Sequence, residues 1–248
     1  MIQINKGTTP PGLAIQNAKL LKEMKDSYDK GTRKFSFNES VYKTDEVKEA
    51  LIACQNNKCC FSEAKFAGDY SPVEHFRPKG RVDAWPTGGS QYPGYYWLAY
   101  EWSNLFLCKE RINSSEKRNF FPLEDGAVRN VSHHDTNNEH PLLIDAGKEN
   151  PRDFIRFNED MPYGVDKRGQ INIEFFNLRH KDFVNARMAW FQILKRAKET
   201  IELGIAQGLD KTNPIFAPSQ TTLRESILPD AQFSSMALDF LPEWQHLV

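Results

Sequence analysis

Val73-Glu74-His75-Phe76-Arg77-Pro78-Lys79 places a carboxylate directly before an imidazole and follows the pair with two basic side chains. A glutamate offers the oxygen donors that a hard divalent cation takes. A histidine, with an ordinary pKa near ~6.5, can accept a proton from water at neutral pH. Side by side, Glu74 and His75 suit hydrolysis of a phosphodiester. On a straight strand neighbours point to opposite sides, so both reach one phosphate only at a strand end or bend, and Pro78 ends this β-prone run. Arg77, Lys79 and Arg81 would line a phosphate track; a solvated basic edge accounts for them equally well. Taken alone, Glu-His reads more simply as part of a solvated strand, so the case rests on what accompanies it.

Trp102-Ser103-Asn104-Leu105-Phe106-Leu107-Cys108 supplies an amide that could bridge backbone groups and pin a loop, keeping the histidine aligned. Asn113, nine residues later, would open or lie in a short helix ending near Asn119, and its side-chain oxygen could be a second ligand to the cation. Lys117 shares a helical face with Asn113 and could meet phosphate oxygens. Each asparagine by itself reads as a turn or cap residue. His133-His134, with Asp135 and His140, could bind a metal, but the polar setting favours a surface loop. Tyr95-Tyr96-Trp97 and Tyr100 read as core rather than as a base-stacking platform.

Together, Glu74-His75, Asn104 and Asn113 resemble the HNH nuclease motif in its His-Asn-Asn form. Lys58-Cys-Cys-Phe-Ser-Glu63, Val73 to Lys79, Trp102 to Cys108 and Phe120-Phe-Pro-Leu123 resemble the HNH subunit of Septu anti-phage defence systems (PtuB-type), which also occurs beside some retrons. Pro141-Leu-Leu-Ile-Asp145 and Asn177-Leu178-Arg179 fit that family too. The resemblance spans most of the chain and is specific in the Glu-His-Phe-Arg-Pro-Lys and Asn-Leu-Phe-Leu-Cys blocks.

It implies a metal-dependent HNH endonuclease with a ββα-metal lobe. His75 would be the general base, Glu74 and Asn113 would flank Mg²⁺ or Mn²⁺, and Asn104 would support the loop. Arg77, Lys79 and Lys117 would contact nucleic acid, with DNA favoured over RNA. A PtuA-type ATPase subunit is the implied partner, with retron RNA or DNA a further one. Many relatives carry two Cys-x-x-Cys knuckles around a structural zinc. Here the corresponding positions are Cys59 and Ser62, then Cys108 and Arg111, which leaves two of four donors, so no structural zinc is expected. Two alternatives stand beside this reading: an RNA-cleaving toxin of a retron-type system acting on, for example, transfer RNA, and a catalytically inactive HNH-like binding subunit.

The elements that must hold these residues follow from periodicity. Leu13 to about Tyr28 forms a rough helical stripe ending near Gly31, and Thr44 or Asp45 can cap a second helix reaching Cys54. Phe154 to Phe157 and Ile171 to Phe175 suggest a short antiparallel pair. Phe183, Ala186, Trp190, Leu194, Ala197 and Ile201 trace one face of a long helix ending near Gly204 or Gly208. A last helix is predicted from about Leu223 towards Leu241. The expected class is α+β: a helical N-terminal region (1–57), a central nuclease lobe (58–125), and a mostly helical C-terminal region with a short β-hairpin (126–248). The 248 residues can bury a substantial core. A formal net charge of −1 excludes a surface coated in basic residues but not a local basic cleft. Four cysteines are too few for a disulfide scaffold, and no apolar run suits a secretion signal or a spanning helix, so a cytoplasmic, membrane-free protein is expected.

Overall fold

The computed structural model describes residues 1–66, 68, 72–240, 242 and 247. The class is α+β, with three two-stranded antiparallel sheets among the helices of the described residues. Pro11 starts α1 (Pro11–Asp29), where a missing N–H costs nothing. The four-residue α2 (Glu39–Tyr42), absent from the periodicity, is capped by Asn38. Thr44 caps α3 (Asp45–Cys54) by accepting from the Val47 N–H at 3.2 Å, as its position predicted.

The central lobe is built on β1 (Val73–His75) and β4 (Leu105–Leu107), paired antiparallel with Glu74 opposite Phe106 and His75 opposite Leu105. All six residues are buried, so this pair lies inside the protein. Between its strands the chain makes a minor pair, β2 (Val82–Asp83) and β3 (Ser90–Gln91), then the aromatic run Tyr95 to Tyr100, whose tyrosines are core as expected. After β4 comes a wide helical turn, Ile112–Lys117, in which the Arg118 N–H reaches back five residues to the Asn113 carbonyl at 3.0 Å. Single wide turns of this kind are frequent at functional sites. The chain is latched to the lobe from its start: the Lys6 ammonium donates to the Leu105 carbonyl and lies over the Trp102 ring at 4.0 Å.

The C-terminal hairpin differs from expectation. β5 (Ile155–Asn158) pairs with β6 (Met161–Gly164), and Ile171 to Phe175 belongs instead to helix α4 (Lys167–Phe175). Asp166 caps that helix by accepting from the Gly169 N–H at 2.7 Å, which commits the following residues to helix despite their β-branched isoleucines. Gly169 is required here, since a Cβ would lie 1.9 Å from the Phe154 carbonyl oxygen.

The long helix α5 (Lys181–Ala206) runs past Gly204 and stops before Gly208, which has φ +90°. The last predicted helix is two: α6 (Ala217–Ser226) and α7 (Ser234–Phe240). Leu228-Pro229 separates them, because the residue before a proline avoids helical backbone. Leu241 lies outside the described residues. One core joins Met1 through Phe183, and a second joins Phe191 of α5 to Leu223, Phe233 and Met236. Asp239 ties α7 to β5, taking the Arg152 guanidinium at 2.7 Å and the Phe157 N–H at 2.8 Å. Among the described residues no helix is long and apolar enough to cross a membrane.

Candidate active site

β1 delivers Glu74 and His75 to a region walled by the aromatic run, α2 and the wide turn. His75 is 5 % exposed. Its Nε2 lies 2.9 Å from the Ala99 carbonyl oxygen, and a carbonyl can only accept, so Nε2 carries the proton and Nδ1 keeps the lone pair. The Tyr42 ring of α2 stands edge-on to the imidazole at 4.7 Å, fixing its plane. The Lys79 ammonium is 3.4 Å from Nδ1. Burial, together with the positive charge of Lys79, holds the His75 pKa well below its ordinary value of 6.5, so the ring is neutral at neutral pH. A neutral ring with a directed lone pair is the proton-accepting form.

Asn104 does what the sequence suggested of it. Its Oδ1 accepts from the Arg77 N–H at 2.7 Å, and its Nδ2 donates to the carbonyls of Arg77 (3.0 Å) and Leu98 (3.1 Å). One amide thus clamps the chain just beyond His75 to the aromatic run that carries Ala99. Gly94 closes the same loop: its N–H donates to the Gly80 carbonyl at 2.9 Å, and a Cβ there would lie 2.5 Å from the Pro78 carbonyl oxygen.

Glu74 points elsewhere. Its Oε1 is 3.3 Å from the Lys117 ammonium, which also donates to the Phe120 carbonyl at 3.0 Å. Lys117, read from sequence as a phosphate contact, is instead fully buried, because the wide turn aims it inward at the carboxylate. Burial raises the Glu74 pKa and lowers that of Lys117, and their mutual attraction opposes both shifts. Asn113 sits half-buried four residues earlier on the same turn; the contact this turn makes with Glu74 is through Lys117. Arg77 leaves the imidazole, meeting Glu139 at 3.3 Å and lying over the Phe121 ring at 4.9 Å. Of the basic residues read as a phosphate track, Lys79 is the one set against His75.

Sequence reasoning missed Ala99, Tyr42 and Glu139. Glu139 accepts from the Tyr95 hydroxyl and the Asn130 N–H while it pairs with Arg77. No local spacing joins residues 77, 95 and 139, so no pattern could have shown this junction.

The Cys59 and Cys108 sulfurs approach to 4.0 Å, and the Lys109 N–H donates to Cys59 at 3.3 Å. Burial alone would raise the Cys59 thiol. Hydrogen bonds from Cys108, Cys60, Ser62 and the Lys109 backbone nevertheless draw it well below its ordinary value. Arg111 is exposed.

The chain is 31% identical over 221 residues to the Septu protein PtuB of Bacillus mycoides (strain KBAB4), a match covering 85% of this chain and 71% of the relative. The chain belongs to the Septu PtuB family. A second Septu protein PtuB, from Bacillus thuringiensis, is 24% identical over 206 residues, covering 82% of this chain and 63% of that relative. No family model matches the chain, and no solved structure does. These PtuB relatives match across most of this chain, so the likeness extends well beyond the blocks around Glu74-His75 and Asn104.

Proposed function

We propose that this PtuB-family protein is a metal-dependent endonuclease of the HNH class, serving anti-phage defence as the nucleic-acid-cleaving effector beside an ATPase subunit of the PtuA type. The observation that carries the reading is the order strand, strand, helical turn: Glu74-His75 on β1, Asn104 directly before β4, and Asn113 and Lys117 on the turn that follows. Membership of the Septu family supports the defence role.

In this reading His75 is the general base. Ala99 orients the ring, and Nδ1 takes the proton of an attacking water. As folded, Lys79 faces that lone pair. A phosphate entering beside it competes for the Lys79 ammonium and frees Nδ1, so substrate binding and base activation are linked. Asn104 positions the loop without touching the reacting atoms.

Glu74 and the amide of Asn113 would hold a divalent ion. Their oxygen donors fit Mg²⁺ or Mn²⁺, which bind through one or two carboxylates while keeping waters and substrate oxygens. As folded, the Lys117 ammonium occupies Glu74, so an ion binding there would have to compete with it for the carboxylate. Such an ion would polarise the scissile phosphate and stabilise the leaving oxygen.

The net charge of −1 supports delivery to nucleic acid by a partner. DNA is the favoured substrate, with RNA such as transfer RNA an outcome of the test. The test incubates the chain with its ATPase partner, ATP and Mg²⁺ on a mixed DNA and RNA pool, beside the His75→Ala protein. Cleavage that needs both Mg²⁺ and His75 and leaves linear phosphate ends is expected. Equal cleavage by His75→Ala would overturn the reading, as would 2′,3′-cyclic phosphate products, which require the RNA's own hydroxyl as nucleophile. Full-rate cutting by the chain alone would remove the ATPase from the proposal.

A further inference from the structure

The loop from Val128 to His140 presents His133 and His134, and the fold sets them against Asp29, the last residue of α1. The donor atoms of these three side chains all lie within 4.8 Å of one another. His134 Nε2 is 2.8 Å from Asp29 Oδ1, and His133 Nε2 is 3.9 Å from Asp29 Oδ2. The sequence suggested a different grouping, with Asp135 and His140. Asp135 is instead spent inside the turn, accepting the N–H groups of Val131 (2.7 Å) and Ser132 (3.0 Å). That turn holds the imidazoles side by side, ring centroids 3.9 Å apart.

His133 is further prepared from behind. Its Nδ1 meets the Tyr96 hydroxyl, whose oxygen also accepts the His133 backbone N–H at 3.4 Å, and Tyr28 stands edge-on to the ring at 5.8 Å. When Nδ1–H donates to the Tyr96 oxygen, the lone pair rests on Nε2, facing Asp29. This second hydrogen bond is the arrangement that orients metal-bound histidines. The approach to the trio is open: His134 is 62% exposed and Asp29 49% exposed.

We propose that Asp29, His133 and His134 form a binding site for a borderline divalent transition ion such as Zn²⁺. Two imidazole nitrogens and one carboxylate oxygen suit zinc at ~2.0–2.2 Å and do not suit Mg²⁺ or Ca²⁺, which prefer all-oxygen surroundings. Three protein donors leave one position for water. Binding takes the Nε2 lone pair of His134, so the proton that now bridges to Asp29 is carried on Nδ1 instead, and only a doubly protonated ring would release one to solvent. The ion would staple the end of α1 to the loop whose Glu139 pairs with Arg77, just beyond His75. The assignment does not depend on the nuclease reading.

The test titrates metal-stripped protein with Zn²⁺ by calorimetry, and records the melting temperature and the tryptic cleavage of residues 126–140 with and without the ion. One Zn²⁺ per chain is expected, with a raised melting temperature and slower cleavage of the loop. Asp29→Asn and His134→Ala, both at exposed positions, should each weaken binding about tenfold or more and abolish the melting shift. Co²⁺-loaded protein should show nitrogen and oxygen ligation without thiolate charge-transfer absorbance, which separates this site from Cys59 and Cys108. Undiminished binding in both variants, a thiolate band, or no stoichiometric binding would overturn the proposal.

Discussion

Two regions of this protein, one around His75 and one around His133 and His134, are built on opposite plans. His75 is sealed between β1, the aromatic run and Tyr42, with one nitrogen bonded to the Ala99 carbonyl and the other facing Lys79. His133 and His134 stand at the surface against a solvated carboxylate. Sealing removes the charged form and leaves a directed lone pair, which suits proton transfer. Openness lets an ion reach both rings and the carboxylate from solvent, which suits ligation. The same side chain is thus given different chemistry by what surrounds it, and the difference extends to cost. The Ala99 carbonyl and the Asn104 amide beside His75 are each held by a buried partner, so removing one leaves another stranded. Around His134, water can take the place of a lost partner.

The sharpest test of that contrast is His75→Ala, which should lower the cleavage rate by on the order of 10²–10⁴ while circular dichroism stays native. Lys117→Ala comes next. It leaves the Glu74 carboxylate buried without its ion-pair partner and should cost about 3–5 kcal/mol in urea unfolding. Combining Lys117→Met with Glu74→Gln should recover much of this loss. If the single and double variants unfold alike, charge compensation is not what holds the turn. Asn104→Ala should cost about 2 kcal/mol, because three backbone groups lose a fixed partner, and cleavage should slow as the His75 loop loosens.

Acid should act in a stated direction. His75 has a lower pKa folded than unfolded, so below about pH 6.5 the unfolded chain binds a proton that the folded chain refuses. Its contribution to stability is therefore complete above that pH and is lost as pH falls. Urea unfolding between about pH 7.5 and 5.5 should show a slope that His75→Gln reduces. The smallest effect belongs to the open region: in metal-free buffer His134→Ala should change stability by less than about 0.5 kcal/mol. A larger loss there would dissolve the contrast between the two regions.

Periodicity and chemistry in the sequence reached far. The helical stripes found α1, α3 and α5, the cap at Thr44 was readable from its residue type, and the clamp made by Asn104 followed from an amide's two-sided hydrogen bonding. These are local properties, set within a turn or two of chain or by one side chain's donors and acceptors. Local signals also misled: Ile171 and Ile173 look β-prone, yet the Asp166 cap and the close contact at Gly169 put them in helix.

What tertiary structure alone decided is which groups face each other. Lys117 carries the same charge on the surface or inside; the wide turn aims it at Glu74. Glu139 reaches Arg77 across 62 residues of chain, and Asp29 reaches His134 across 105. No spacing encodes such meetings, because they depend on how helices and loops pack once the apolar faces are buried. The sequence by itself settled which donors, acceptors and charges the residues carry and where the long stripes of α1, α3 and α5 run. Packing settled which lone pair is free, which charge is compensated, and where an ion could be held.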